Sequence, residues 1–116
     1  MNLRVETRNV GRWAVVTVAG ELDVYTCPIL RTELETLARF SRAHIVLDLG
    51  PLDFTDSSGL GVIVGALKRA MAANGTVRVT GAQEYLLKML RITGLAKLLT
   101  LTETLEQATA DTVTDR

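Results

Sequence analysis

HIVLDLGPLDFTDSSGLGVIVGALKRAMAANG, residues 44–75, is the stretch on which the fold turns. Its first six residues, 44–49, form a compact and mostly apolar run, as expected of a strand buried in the middle of a sheet. From Ser57 the pattern takes on a helical period that runs to about residue 73, where Asn74-Gly75 supplies the stop. Between the two, Gly50-Pro51 opens a short loop, PLDFTDSS. A buried strand that feeds a long amphipathic helix is a building block of an α/β layer.

The flanks extend this pattern. Residues 3–8 and 13–19 each alternate apolar and polar side chains about a turn at Asn9-Val10-Gly11, which predicts a β-hairpin. Residues 26 to about 40 carry Leu30, Leu34 and Leu37 at helical spacing, with Thr26 as the expected cap and Pro28 tolerated near the start. Beyond residue 75, VRVT (77–80) predicts a strand and 83–93 a second amphipathic helix closed by Gly94. Residues 98–101 predict an edge strand, and 103 to about 110 a terminal helix. The expectation is a single α/β domain over residues 1–110, with a mixed sheet of four to five strands packed with helices, followed by a polar tail, 111–116. Trp13, Val15, Val46, Leu47, Leu60, Ile63, Val64, Leu67, Leu86 and Leu90 are expected to share one core.

Composition narrows the function. The 116 residues are 47% hydrophobic but only 4% aromatic, so Leu, Val, Ile and Ala must fill the core. Thirteen basic and thirteen acidic side chains leave no net charge. A basic footprint for nucleic acid is therefore missing. One cysteine, Cys27, and one histidine, His44, cannot build a Cys/His zinc cluster or an intramolecular disulfide. Cys27 reads as a small packed hydrophobe and His44 as an ordinary residue at the start of a strand. No apolar run approaches the roughly 18 residues of a membrane span, and the N-terminus lacks a signal pattern. A soluble, cytoplasmic protein that needs no cofactor is the expectation.

Chemistry concentrates in DFTDSSGLGVIVGALKRA, residues 53–70, which places Asp53, Asp56, Ser57, Ser58, Gly59, Gly61 and Gly65 at one strand-to-helix junction. Asp or Ser before an apolar helix is an ordinary N-cap. Glycine in a helix interior costs about 1 kcal/mol relative to alanine, so some close contact is expected to need the missing side chains. A helical projection puts Leu60, Ile63, Val64, Leu67, Ala70 and Met71 on the core face. Gly61, Gly65, Lys68 and Ala72 form a separate strip, extended by Ser58 and bordered by Val62. Two readings stay open: a partner lies on this strip, or another helix of the domain covers it. A phosphate on a serine here adds about −1.5 to −2 charge. A helix N-terminus can hold that anion without unfolding. Asp53, Asp56 and Asp23 would stand nearby, so modification would repel an acidic partner surface.

Together, Gly20-Glu21-Leu22-Asp23 after the second strand and Asp56-Ser57-Ser58-Gly59-Leu60-Gly61 at the junction resemble the STAS domain of bacterial anti-sigma factor antagonists. The resemblance covers nearly the whole chain in length and element order. It implies that Ser57, the serine directly after the aspartate, is phosphorylated by the cognate anti-sigma factor, a serine kinase. It further implies that the unphosphorylated protein binds this kinase and frees the sigma factor, and that a PP2C-type phosphatase resets the switch. Contact with the partner is expected at Asp23, Asp53, Asp56, Ser58, Gly59, Gly61, Val62 and Gly65, beside the Tyr25 region, with the loop 53–58 and the Gly61, Val62, Gly65 strip exposed.

Rival readings are weaker. Ser57 lacks the Gly-x-Ser-x-Gly elbow of a hydrolase, so an enzyme is not expected. Asp53 and Asp56 alone make a poor cation site. Gly59-x-Gly61-x-x-x-Gly65 is a poor match to a dinucleotide loop, because acids and serines occupy the turn, although nucleotide binding is reported for some STAS domains. The alternative from another class is a STAS scaffold without phosphorylation control, such as a transport-associated partner module.

Overall fold

A computed structural model describes residues 2–110; the polar tail expected at 111–116 lies outside the described residues. In chain order the elements are β1 (Leu3–Val10), β2 (Trp13–Leu22), α1 (Cys27–Arg39), β3 (His44–Asp48), β4 (Leu52–Thr55), α2 (Ser57–Ala72), β5 (Thr76–Thr80), α3 (Glu84–Ile92), a 3₁₀ turn (Leu95–Lys97), β6 (Thr100–Thr102) and α4 (Leu105–Thr109). The sheet has six strands in the order β1-β2-β3-β5-β6, with β4 paired to β2. Only β1 and β2 run antiparallel, as the hairpin predicts; the other pairings are parallel. The apolar run at 44–49 is indeed central, between β2 and β5.

The sixth strand is β4, which lies in the segment expected to be a loop. Its four residues show no alternation, since Leu52 and Thr55 are buried while Asp53 and Phe54 are exposed. It is a strand because β2 outruns β3: the end of β2 pairs with Leu52, Phe54 and Thr55. The ladder shifts at Gly20, whose φ of +106° is open to glycine. A Cβ at Gly20 would also fall 2.3 Å from the Asn2 carbonyl oxygen.

The expected single core is two clusters. Leu47, Ile63, Leu67, Leu86 and Leu90 pack between the sheet and helices α1, α2 and α3. Trp13, Val15 and Val46 pack on the opposite face with Ala108, Leu105 and Val10. Successive strand residues point to opposite faces, so Val46 and Leu47 cannot share one core. Leu60 and Val64 are only half-buried, while the other eight named residues are buried. On the second face, the fully buried Arg78 donates from Nη1 to the carbonyls of Ala108 (2.9 Å) and Ala110 (2.8 Å). Its guanidinium carbon sits 4.1 Å from the centre of the Trp13 ring. One buried cation thus holds α4 to the sheet.

The buried stripe of α2 also differs from the projection. It consists of Gly59, Val62, Ile63, Ala66, Leu67 and Ala70, whereas Met71 is 57% exposed. A projection weighted by bulk favours Leu60, Val64 and Met71. Packing instead turns the small residues inward, because they let the helix approach α1 and the sheet. Cys27 is buried in the main cluster. The His44 ring meets the edge of Trp13 at 5.6 Å and pairs with the Thr76 hydroxyl at 3.2 Å.

Candidate functional site: the ends of β2 and β4

β2 and β4 are parallel, pair as Glu21 with Phe54 and Leu22 with Thr55, and so release their chains from the same end of the sheet. The C-terminal ends of parallel strands are the usual place for a site in a wound α/β sheet. Here they deliver two loop-to-helix junctions side by side. The Asp56 amide donates to the Leu22 carbonyl at 3.1 Å and ties the junctions together.

Asp56 is the N-cap of α2. Its backbone is extended and its Oδ1 accepts from the Ser58 amide at 2.8 Å. The cap satisfies a donor that the first helical turn would leave open. Ser57, the first helical residue, is exposed, and its hydroxyl makes no hydrogen bond to a described residue. Ser58 is half-buried and Asp53 is exposed. Gly59 packs tightly: a Cβ there would lie 2.0 Å from Thr55 Oγ1 and 2.7 Å from Leu22 Cδ2. Gly61 is exposed with nothing within 4 Å of such a Cβ, and at Gly65 the nearest atom is Arg69 Nη1 at 3.4 Å.

The expectation of an exposed loop at 53–58 and one exposed strip therefore needs correction: Thr55 is 3% exposed because it belongs to β4, Gly65 is half-buried beneath Arg69, and three further positions expected at the contact are buried. Val62 is 2% exposed because it belongs to the stripe facing the core. Gly59 is buried because its missing side chain seats α2 on β2 and β4. Asp23 is 6% exposed because it organises the turn into α1. Asp23 Oδ1 accepts from the amides of Tyr25 (2.9 Å) and Thr26 (3.0 Å). The Thr26 hydroxyl accepts from the Asp23 amide and donates to the Glu21 carbonyl. Thr26 thus locks the loop and makes no side-chain cap to α1. The result is that Val24 and Tyr25 stand out in solvent, Tyr25 with 81% of its surface exposed; Phe54 on β4, paired with Glu21, is also exposed.

Sequence reasoning missed two supports from α3. The Tyr85 hydroxyl accepts from the Thr55 amide at 3.0 Å, and Gln83 Nε2 donates to the Leu52 carbonyl at 2.9 Å. Both partners lie on β4, so the start of α3 holds the strand that leads into Ser57. A free edge strand needs such partners, but nothing local in Gln83 or Tyr85 announces them. No group of three or more His, Cys, Asp or Glu side chains that could hold a metal ion occurs among the described residues. No helix among them is long and apolar enough to cross a membrane.

The STAS domain family matches residues 4–108. The chain is 34% identical over 99 residues to the anti-sigma-B factor antagonist of Bacillus subtilis (strain 168), covering 85% of this chain and 90% of that one. The crystal structure of an anti-sigma factor antagonist from Mycobacterium paratuberculosis superposes with a TM-score of 0.83 at 25% identity, over 92% of this chain and 91% of that chain. The phosphorylated form of the Bacillus cell fate determinant SpoIIAA shares the fold, with a TM-score of 0.76 at 24% identity over 90% of this chain and 96% of that chain. The chain belongs to the STAS domain family.

Proposed function

We propose that this chain is an anti-sigma factor antagonist switched at Ser57. In its unphosphorylated form it binds an anti-sigma factor that is also a serine kinase, and the sigma factor is released. Transfer of the γ-phosphoryl group of ATP to Ser57 Oγ, with loss of the hydroxyl proton and of ADP, ends that complex. A PP2C-type phosphatase hydrolyses the phosphoserine and restores the binding form. The observation that carries this reading is the exposed Ser57 hydroxyl at the start of α2, which bonds to none of the described residues and directly follows a cap that already occupies Asp56. Its surroundings support the direction of the switch. Asp56 directly precedes it and the exposed Asp53 stands four positions earlier on β4, and a phosphoserine would add about −1.5 to −2 charge there. The contact surface proposed for the partner comprises Asp53, Asp56, Ser58, Gly61 and Gly65, with Val24 and Tyr25 from the neighbouring loop. Gly59, Val62 and Asp23 act from beneath by holding that surface in place.

The test is retrieval of the chain with its partner from cell extract, incubation with ATP, and phosphate mapping by tandem mass spectrometry. Label on Ser57, lost in Ser57→Ala with the complex retained, supports the switch. Ser57→Asp weakens the complex, since an added carboxylate at a desolvated contact lacks a partner. Label confined to Ser58 or a threonine overturns the assignment, and no label at all favours a STAS scaffold without phosphorylation control.

A further inference from the structure

Three strands of the sheet, β1, β4 and β6, pair with one neighbour only, and the fold treats their open edges differently. β6 is three residues long. β4 gives its Leu52 carbonyl and Thr55 amide to Gln83 and Tyr85. β1 runs for eight residues, Leu3–Val10, without proline or bulge, and its outer side bonds to no described residue. The direction of its backbone groups follows from the Glu21 amide, which donates to the Asn2 carbonyl at 2.8 Å. Bonded and unbonded pairs alternate along an unbroken antiparallel ladder. Arg4, Glu6, Arg8 and Val10 therefore bond inward to β2, while Leu3, Val5, Thr7 and Asn9 turn their amides and carbonyls outward. Such an edge is a template for another strand.

Charge selects the strand that fits. Arg4, Glu6 and Arg8 are exposed on one face of β1, and none of them bonds to or forms an ion pair with a described residue. On the other face Leu3 and Val5 pack on the main core, and the Thr7 hydroxyl donates to Glu33 of α1. A second copy related by a two-fold axis would bring its own β1 alongside, antiparallel, with the same residues on each side. Opposite charges that face each other across two strands stabilise the pairing, and like charges oppose it. An axis at Glu6 sets Glu6 against Glu6 and Arg4 against Arg8, like against like. An axis at Thr7 brings the two Glu33 carboxylates toward each other, each held by its own Thr7. An axis at Val5 sets Arg4 against Glu6 of the second copy on both sides, Val5 against Val5, and Leu3 against Thr7. Only this last register matches every charge it brings together.

We propose that the outer edge of β1 binds the β1 edge of a second copy of this chain, antiparallel about an axis at Val5, with Arg4 of each copy facing Glu6 of the other. Val5 exchanges amide and carbonyl with Val5 of the second copy, and Leu3 does so with Thr7, so the two sheets become one continuous sheet. Pairing over about five residues from each copy makes a small interface of the weak, transient kind. The dissociation constant is expected between about 10 µM and about 1 mM. No side chain of the proposed switch takes part, so the pairing stands without it.

Sedimentation of the full chain between about 10 µM and about 2 mM, with amide hydrogen exchange followed by NMR on the same samples, tests this. A concentration-dependent dimer is expected, and with it slower exchange at the outward amides of Leu3, Val5 and Thr7, while the inward amides of Arg4 and Glu6 change little. Glu6→Arg and Arg4→Glu, both at exposed positions, each put like charges face to face and should weaken self-association at least about fivefold. An equal mixture of the two variants places opposite charges at both positions again and should form a mixed dimer with the affinity of the unaltered chain. A chain that stays monomeric at about 2 mM overturns the proposal. So do a dimer that leaves exchange at Val5 unchanged, and variants whose mixture does not recover the affinity that each has lost.

Discussion

Asp23 and Asp56 stand at equivalent places, each just beyond one of two paired parallel strands and just before a helix, yet they do different work. Asp23 is buried, and its carboxylate holds the amides of Tyr25 and Thr26. Every polar group it organises is turned inward, and what remains outside is the apolar pair Val24 and Tyr25. Asp56 is half-buried and caps a single amide, leaving an exposed hydroxyl next to it. One junction is built to hold a shape and to present a hydrophobic contact. The other leaves the Ser57 hydroxyl exposed at the start of a capped helix. The switch proposed at Ser57 draws on both: a contact that stays in place and a group beside it that can change.

Replacing Gly59 by Val should break both junctions at once. The new side chain must displace the buried Thr55 and Leu22, and overpacking of this kind costs about 1–3 kcal/mol or prevents folding. Urea denaturation reads the loss directly, and an unchanged midpoint would show that α2 is not seated through Gly59. Asp23→Ala comes next, at about 2 kcal/mol, because two amides lose a buried acceptor. Amide hydrogen exchange should show faster opening of residues 23–27. Asp56→Ala is expected to cost about 1 kcal/mol, the usual value of an N-cap. If calorimetry gives it the same cost as Asp23→Ala, the contrast between the two aspartates is wrong. Tyr25→Ala should change stability by less than about 0.5 kcal/mol, as for other exposed sites. It should nevertheless weaken partner binding by about tenfold or more, the behaviour of an aromatic anchor. Retained affinity in a pull-down would remove Tyr25 from the surface. Last is Gly61→Ala, the one change expected to stabilise, by up to about 1 kcal/mol in helix propensity read as a higher urea midpoint, while lowering affinity wherever a partner approaches the helix backbone.

Periodicity and punctuation made most of the elements legible. The hairpin, α1, the central β3, α2 with its Asn74-Gly75 stop, and α3 closed by Gly94 are local patterns, and local patterns survive into the fold. Asn74 does adopt a left-handed φ of 57°, and the Gly75 amide donates to the Ala70 carbonyl at 2.7 Å. The acids, hydroxyls and glycines of residues 53–61 were equally plain, because side-chain chemistry is written in the residue itself. β4 was not legible. Its four residues lack alternation, and the edge they join belongs to a strand some thirty positions earlier in the chain.

The sequence by itself determined the α/β class, the order of most elements and the junction where Ser57 follows Asp56, since each depends on neighbours within a few residues. Only the tertiary structure decided which glycine is packed and which is open, for Gly59 meets Thr55 and Leu22 while Gly61 meets nothing. It also decided that Val62 faces inward, that Asp23 is buried, and that Arg78 on β5 reaches the carbonyls at the end of α4. These outcomes rest on contacts between residues distant in the chain. The free energy of such contacts depends on which surfaces meet, and a hydrophobic pattern along one helix does not specify its rotation against the sheet.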